Sequence, residues 1–222
     1  MDLNKSLEFF DPRKVQERCH IIGCGSIGSN VAELLVRYGI EDIVLYDFDI
    51  VERHNIANQL FTEKHVGQPK TEALVDILSD INPKVKHTII TEGEYVDHML
   101  TGYVFMCVDS VEVRNHIVDH NYNNPMIKGI FDFRTTLTEG QCYYANWSKR
   151  RHKESLKESL NFTHAEALEN TPVSACGFEL SVAPVVKMTA IMGVVNFTNL
   201  INNEEVKTLI LCQPYSYFLE AI

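Results

Sequence analysis

Cys19-His20-Ile21-Ile22-Gly23-Cys24-Gly25-Ser26-Ile27-Gly28 is the stretch that decides the fold of this 222-residue chain. Its opening residues are apolar and β-prone, and the glycines follow at the spacing Gly-x-Gly-x-x-Gly. Ile27, Val31, Leu34, Leu35 and Tyr38 then recur at helical spacing. Strand, glycine turn and helix in that order let the backbone approach a ligand where the helix begins. The first N–H groups of a helix lack internal partners there and favour a phosphate. Gly39 closes the helix as a C-cap would, and Ile43-Val44-Leu45-Tyr46 supplies a second buried strand that ends at Asp47-Phe48-Asp49. The result is a βαβ unit. Asp47, 19 residues past Gly28, stands where a carboxylate accepts ribose hydroxyl protons, an arrangement common to dinucleotide and ATP sites.

Outward from this unit the α/β alternation continues. Residues 1–17 are polar, carry Pro12 and read as an N-terminal segment; 18–222 read as one domain. Ile50 to Pro69 lacks a clean period and reads as a structured loop or short helix. Ala73, Leu74, Ile77, Leu78 and Ile81 mark one face of a helix from Lys70 that Asn82-Pro83 ends, and Val85 to Ile90 offers a strand. Tyr103 to Val108 is a strand terminating at Asp109, followed by a helix from Val111 to about His120 and strands at Met126 to Phe131 and Gln141 to Ala145. Residues 147–175 read as a long polar crossover loop, Pro184 to Leu200 as an apolar helix and Val206 to Cys212 as an edge strand. The spacing predicts an α/β, Rossmann-like three-layer domain with a sheet parallel in its first half and mixed later.

Hydrophobic residues at 45% and charged residues at 23% exclude disorder and a fibrous repeat. Twenty basic against thirty acidic residues, a formal charge of -10, disfavour a surface that tracks nucleic-acid phosphates or an anionic membrane. The most apolar run, Val182 to Val195, is interrupted by Pro184, Lys187 and Thr189 and reads as too short to span a bilayer. Nothing in Met1 to Lys14 marks export, so a cytoplasmic location is expected. The six cysteines are scattered singly with no Cys-x-x-Cys pair, so neither a disulfide framework nor a structural zinc is expected.

After the glycine motif come Asp47-Phe48-Asp49, Asn55-Ile56-Ala57-Asn58-Gln59, Val66-Gly67-Gln68-Pro69-Lys70, Ile81-Asn82-Pro83, and Val108-Asp109-Ser110 with Arg114-Asn115. This ordered set, from Arg18 to about Leu200, resembles the ThiF/MoeB/HesA-type adenylyltransferases, which share the fold of ubiquitin-activating enzymes. The resemblance implies ATP and magnesium as cofactors, a homodimer, and a small ubiquitin-like or sulfur-carrier protein ending in Gly-Gly whose C-terminal carboxylate is adenylated. It implies a nucleotide site made of Gly23, Gly25, Ser26, Gly28, Asp47, Asp49, Asn55, Asn58, Gln59, Lys70, Asp109, Ser110 and Arg114. Within it Asp47 would hold the ribose, Asn55, Gln59 and Lys70 the phosphates, and Asp109 the metal. Taken singly, Lys70 also fits a solvated helix start, Asn55 and Gln59 loop caps, and Asp109 a helix N-cap.

Two departures from the family pattern stand out. The phosphate-directed Arg of the family's N-x-x-R-Q is Asn58 here, and the paired zinc cysteines of many relatives are absent. Cys176, eight residues before Pro184, matches the place where ThiF-type enzymes carry a cysteine that bonds to the activated carrier. Lys70, Asp109 and Cys176 are therefore the catalytic candidates, with a buried packing thiol as the other reading of Cys176. Cys24 and Cys107 read as packing residues. The basic run Lys149 to Lys153 reads as a solvated loop, and His152 and His164 lack a ligand set for a metal. Other functions compatible with the motifs are a nucleotide-binding scaffold subunit, suggested by Asn58, and a tRNA threonylcarbamoyladenosine dehydratase-like enzyme, against which the acidic charge weighs. An NAD-dependent oxidoreductase ranks last, for no hydride-transfer site follows Asp47.

Overall fold

A computed structural model describes residues 1–162, 166 and 180–222. Its centre is the βαβ unit. Strand β1 (Cys19–Ile22) leads through the glycine turn to helix α1 (Ser26–Arg37) and strand β2 (Ile43–Tyr46). There follow helix α2 (Lys70–Ile81), a single-turn helix α3 (Val85–Thr88), strand β3 (Ile90–Glu92), strand β4 (Gly102–Met106), helix α4 (Val111–His120) and strand β5 (Ile127–Thr135). Strand β6 (Gly140–Asn146), helix α5 (Arg150–Ser159), helix α6 (Ala183–Asn202), strand β7 (Leu209–Gln213) and strand β8 (Phe218–Ala221) complete the described elements.

The strands form one eight-stranded sheet in the order β3-β2-β1-β4-β5-β6-β7-β8. Strands β1 to β5 are parallel to one another, and the pairings β5–β6, β6–β7 and β7–β8 are antiparallel, as the sequence predicts. The order reverses direction at β1, with β2 on one side and β4 on the other, and ligands of open α/β sheets bind at such a switch point beyond the carboxyl ends of the strands.

Alternation along β1 divides the core. Cys19 and Ile21 face a cluster with α1, α2 and α6, whereas Ile22 faces a second cluster with Ile117 and Val118 of α4 and Leu156 of α5. Helix α6 lays Val186, Ala190, Val194 and Phe197 into the first cluster, and the Phe197 ring meets Phe105 edge-on at a centroid distance of 5.4 Å. Burying each of these valines and the phenylalanine stabilises the fold by roughly 1.5–3 kcal/mol. At 20 residues α6 is long and apolar enough to cross a membrane, contrary to the expectation of a run too short to span. Pro184 lies in its first turn, where proline continues a helix instead of breaking it, and its inner face is buried against the sheet.

Four further expectations are corrected. The N-terminal segment is less polar in effect than in composition: Phe10 is fully buried and packs edge-on against Tyr38 at 4.9 Å. Val85 to Ile90 is not one strand. The Ile89 N–H is bonded to Val85 O within a helical turn, and pairing with β2 starts only at Ile90. Within 147–175, Arg150–Ser159 is helical although it buries only Leu156. Contacts to the neighbouring elements hold it: Lys153 Nζ donates to Tyr122 O at 2.6 Å, and Lys157 pairs with Asp119 at 2.5 Å. Strand β7 is interior, because β8 pairs on its outer side and forms the edge.

Candidate functional site

A cleft of about 440 Å³ opens beyond the carboxyl ends of β1, β2 and β4. Gly23, Gly25, Ser26, Asp47, Asp49, Gln59, Lys70, Asp109 and Ser110 line it, so most of the sequence-predicted nucleotide residues converge there. Gly23 has φ +91°, and a Cβ on it would lie 2.8 Å from the Cys107 carbonyl carbon, so only glycine lets β1 turn this close to the end of β4. Helix α1 begins immediately afterwards with Gly25 as N-cap and no side-chain cap. Its first N–H groups therefore remain open to an anion.

Asp47 ties the turn to β2. One carboxylate oxygen accepts from Cys24 N–H at 2.7 Å and the other from Asp49 N–H at 2.9 Å. Burial raises its pKa above the ordinary carboxylate range, an effect that Lys70 and the two N–H bonds oppose. Lys70, the first residue of α2, has a side chain only 10% exposed, and its Nζ lies 2.7 Å from Asp49 Oδ2. Asp109 is exposed at the cleft edge and makes no hydrogen bond to another described residue. It is not the N-cap of α4; Ser110 is, through Oγ accepting from Val113 N–H at 3.2 Å.

Four predicted residues do not line the cleft. Gly28 packs inside, where a Cβ would lie 1.8 Å from Gly23 O, so its role is the close approach of α1 to the turn. Asn55 is buried and caps a 3-10 helix (Arg53–Ala57), accepting from Glu52 N–H at 2.8 Å. Asn58 ends the same helix. Arg114 lies under the site: its guanidinium donates to Asp132, to the Val108 carbonyl and, at 2.8 Å, to the Phe133 carbonyl. Through Val108 it holds the backbone just before Asp109. Cys176 lies outside the described residues.

Sequence reasoning missed Ile22, Tyr46, Phe48, Glu94, Tyr95, Cys107, Val108 and Val113 as cleft residues. Of these, Phe48, between two predicted aspartates, and Val108, beside Asp109 in its motif, carried a positional signal. Glu94 and Tyr95 come from the connection between β3 and β4, which has no motif. Desolvation pushes the Cys24 and Cys107 thiols well above their ordinary range, which favours the neutral thiol over the nucleophilic thiolate; Cys24 is buried, whereas Cys107 is half-buried at the cleft.

The donor set fits a nucleoside triphosphate with a metal. Space beside Gly25 is open, with Gln59 Nε2 the nearest atom at 3.9 Å from an added Cβ. Gln59 Oε1 is buried without a hydrogen-bond partner among the described residues, an acceptor that a ligand hydroxyl or a metal-bound water would satisfy. Among the described residues that line the cleft, Asp47, Asp49, Glu94 and Asp109 are joined by one ammonium, that of Lys70. A polyphosphate entering that field needs a cation beside it.

Comparison with known proteins agrees with this geometry. Over 65 residues the chain is 48% identical to ubiquitin-like modifier-activating enzyme 5 of Oryza sativa subsp. japonica, covering 29% of this chain and 15% of the relative. Over 120 residues it is 32% identical to molybdopterin-synthase adenylyltransferase of Salmonella typhimurium, covering 50% and 48%. The chain thus spans less than half the length of either relative. The crystal structure of E. coli MccB with ATP superposes at a TM-score of 0.71 and 17% identity, covering 95% of this chain and 65% of that one. It shows the same fold. Because the ThiF family model matches residues 13–217, nearly the whole chain and all of the cleft, the chain belongs to the ThiF family.

Proposed function

We propose that the cleft binds ATP and that the chain transfers its adenylyl group to the C-terminal carboxylate of a small ubiquitin-like or sulfur-carrier protein ending in Gly-Gly, releasing pyrophosphate. The observation that carries this reading is the uncapped N-terminus of α1, which opens into the cleft that Asp47 and Lys70 also line. The α1 amides receive phosphate oxygens, and Asp47, whose oxygens each keep a further lone pair, accepts from the ribose hydroxyls. Lys70 places positive charge where the pyrophosphate leaves. Asp109 would hold magnesium, with Asp49 nearby; that ion, when bound, offsets phosphate charge. The names of the relatives, an activating enzyme for a ubiquitin-like modifier and an adenylyltransferase, support the same reaction class. The reading includes a homodimer in a cytoplasmic setting.

Calorimetry with ATP and magnesium, together with carrier-dependent pyrophosphate exchange, tests the proposal. Asp47→Ala is expected to weaken ATP by roughly 1.5–3 kcal/mol, tenfold or more, from the loss of hydrogen bonds to a charged group. Lys70→Ala should abolish exchange. Binding of NAD in place of ATP would sink the proposal. Cys176 is the proposed acceptor of the activated acyl group: its thiolate would attack the acyl carbon and displace AMP, leaving a thioester. Cys176→Ala should then keep exchange and lose a thiol-sensitive carrier adduct in intact-protein mass spectrometry; an adduct that persists removes Cys176 from the path.

Asn58 favours a second reading, a nucleotide-binding subunit without turnover. If Asn58→Arg raises exchange, the natural chain is a slow enzyme; ATP binding without exchange in both forms supports the scaffold. Light scattering checks the dimer, and a monomer at micromolar concentration would contradict it.

A further inference from the structure

Away from the cleft's phosphate-binding end, Asp97, His116 and His120 converge on one point of the surface. The two histidines sit four residues apart on α4 and project from one face, with ring centroids 5.8 Å apart and planes inclined by 26°. Asp97 arrives from the connection between β3 and β4 with φ +45°. Its Oδ1 lies 2.7 Å from His116 Nε2 and 3.4 Å from His120 Nδ1. One ligand-type atom from each residue falls within 4.8 Å of the other two. We propose that these three residues bind a divalent first-row transition metal, zinc by preference, at a site that the adenylation chemistry does not use.

The geometry needs little adjustment. Tetrahedral zinc with bonds of about 2.0–2.1 Å places its ligand atoms about 3.4 Å apart. The side chains are 53%, 44% and 52% exposed for His116, His120 and Asp97, so modest rotations bring all three to that spacing. Two imidazoles and a carboxylate suit zinc among the borderline metals, and the solvent side leaves a fourth position for water. The expectation of no structural zinc rested on the absence of cysteine pairs and did not bear on this set, whose third member is 19 residues away from His116 and meets it only in the fold.

The site has a consequence for the cleft. Glu94 and Tyr95, just before Asp97, line one wall, and so does Val113, one turn before His116. A metal joining Asp97 to α4 would cross-link the two segments that build that wall.

The test is calorimetric titration of the full, metal-stripped chain with zinc alone, in the absence of nucleotide, and absorption after loading with cobalt. One equivalent should bind, and the cobalt spectrum should show tetrahedral d–d bands without a thiolate charge-transfer band. His116→Ala, His120→Ala and Asp97→Asn should each weaken zinc by at least about tenfold, the loss that follows removal of even an outer partner of a ligand. His152→Ala should not change it. Because the three residues are exposed, unchanged far-UV circular dichroism is expected and separates lost ligation from lost folding. Unchanged zinc binding in the His116→Ala/His120→Ala double variant, a thiolate band with cobalt, or no zinc bound to the natural chain would each overturn the proposal.

Discussion

Replacing Arg114 with methionine separates the two roles open to this residue, nucleotide ligand and internal strut. The Arg114 and Asp132 side chains are 7% and 0% exposed, and the Arg114 guanidinium also donates to the carbonyls of Val108 and Phe133. Methionine retains much of the volume and none of the donors. Asp132 would keep Arg134, whose Nε lies 2.7 Å from Oδ2 and whose guanidinium is itself fixed by Ser159 O at 2.7 Å. Breaking a buried pair from one side costs about 3–5 kcal/mol; the surviving Arg134 argues for the lower end. At about 2–4 °C per kcal/mol for a chain of this size, a 3 kcal/mol loss lowers Tm by about 6–12 °C. Val108 directly precedes Asp109, so ATP affinity should fall too, as a consequence of the loosened strand end. Calorimetric melting with and without nucleotide measures both effects. A Tm within about 2 °C of the natural chain, combined with a large loss of ATP affinity, would refute the strut and restore Arg114 as a ligand.

Three shorter expectations follow from the same geometry. Gly28→Ala drives a Cβ to 1.8 Å from Gly23 O, so it should destabilise by at least about 1–3 kcal/mol in thermal melting; an unchanged Tm would show that α1 can move away from the turn. Gly25→Ala meets only open space, so ATP binding should weaken while Tm falls less than in Gly28→Ala. Buried His20, bonded to the Tyr46 hydroxyl at 3.0 Å, has its pKa pushed down to about 4 from 6.5, mainly by desolvation. The folded chain therefore keeps this ring neutral where the unfolded chain is protonated, and stability is lost as pH falls from about 6.5 to 4, by up to about 3 kcal/mol. Urea unfolding of His20→Gln should lose correspondingly less over that window, and parallel losses in the two proteins would contradict the assignment.

How far the sequence could be read depended on how local each signal is. The glycine turn, the α1 periodicity and the carboxylates ending β2 lie within one βαβ unit, where spacing alone sets what meets what. Asp47 and the α1 N-terminus were therefore legible. The helix at Arg150–Ser159 was not, because it buries one apolar side chain and depends on contacts with Tyr122 and Asp119, far away in sequence.

By itself the sequence determined the parallel-then-mixed sheet and named nine of the residues that line the cleft. The motif order is a property of the chain and survives any rearrangement of loops. Only the tertiary structure decided which of the motif residues reach the cleft. Arg114 turned inward because buried Asp132 and the Val108 and Phe133 carbonyls accept its donors. Asn55 was absorbed by its own 3-10 helix, where its side chain satisfies a backbone N–H. The convergence of Asp97 with His116 and His120 likewise came from docking the β3–β4 connection against α4. In each case a long-range contact chose among partners that the side chain's chemistry allows equally, and such a choice leaves no trace in local spacing.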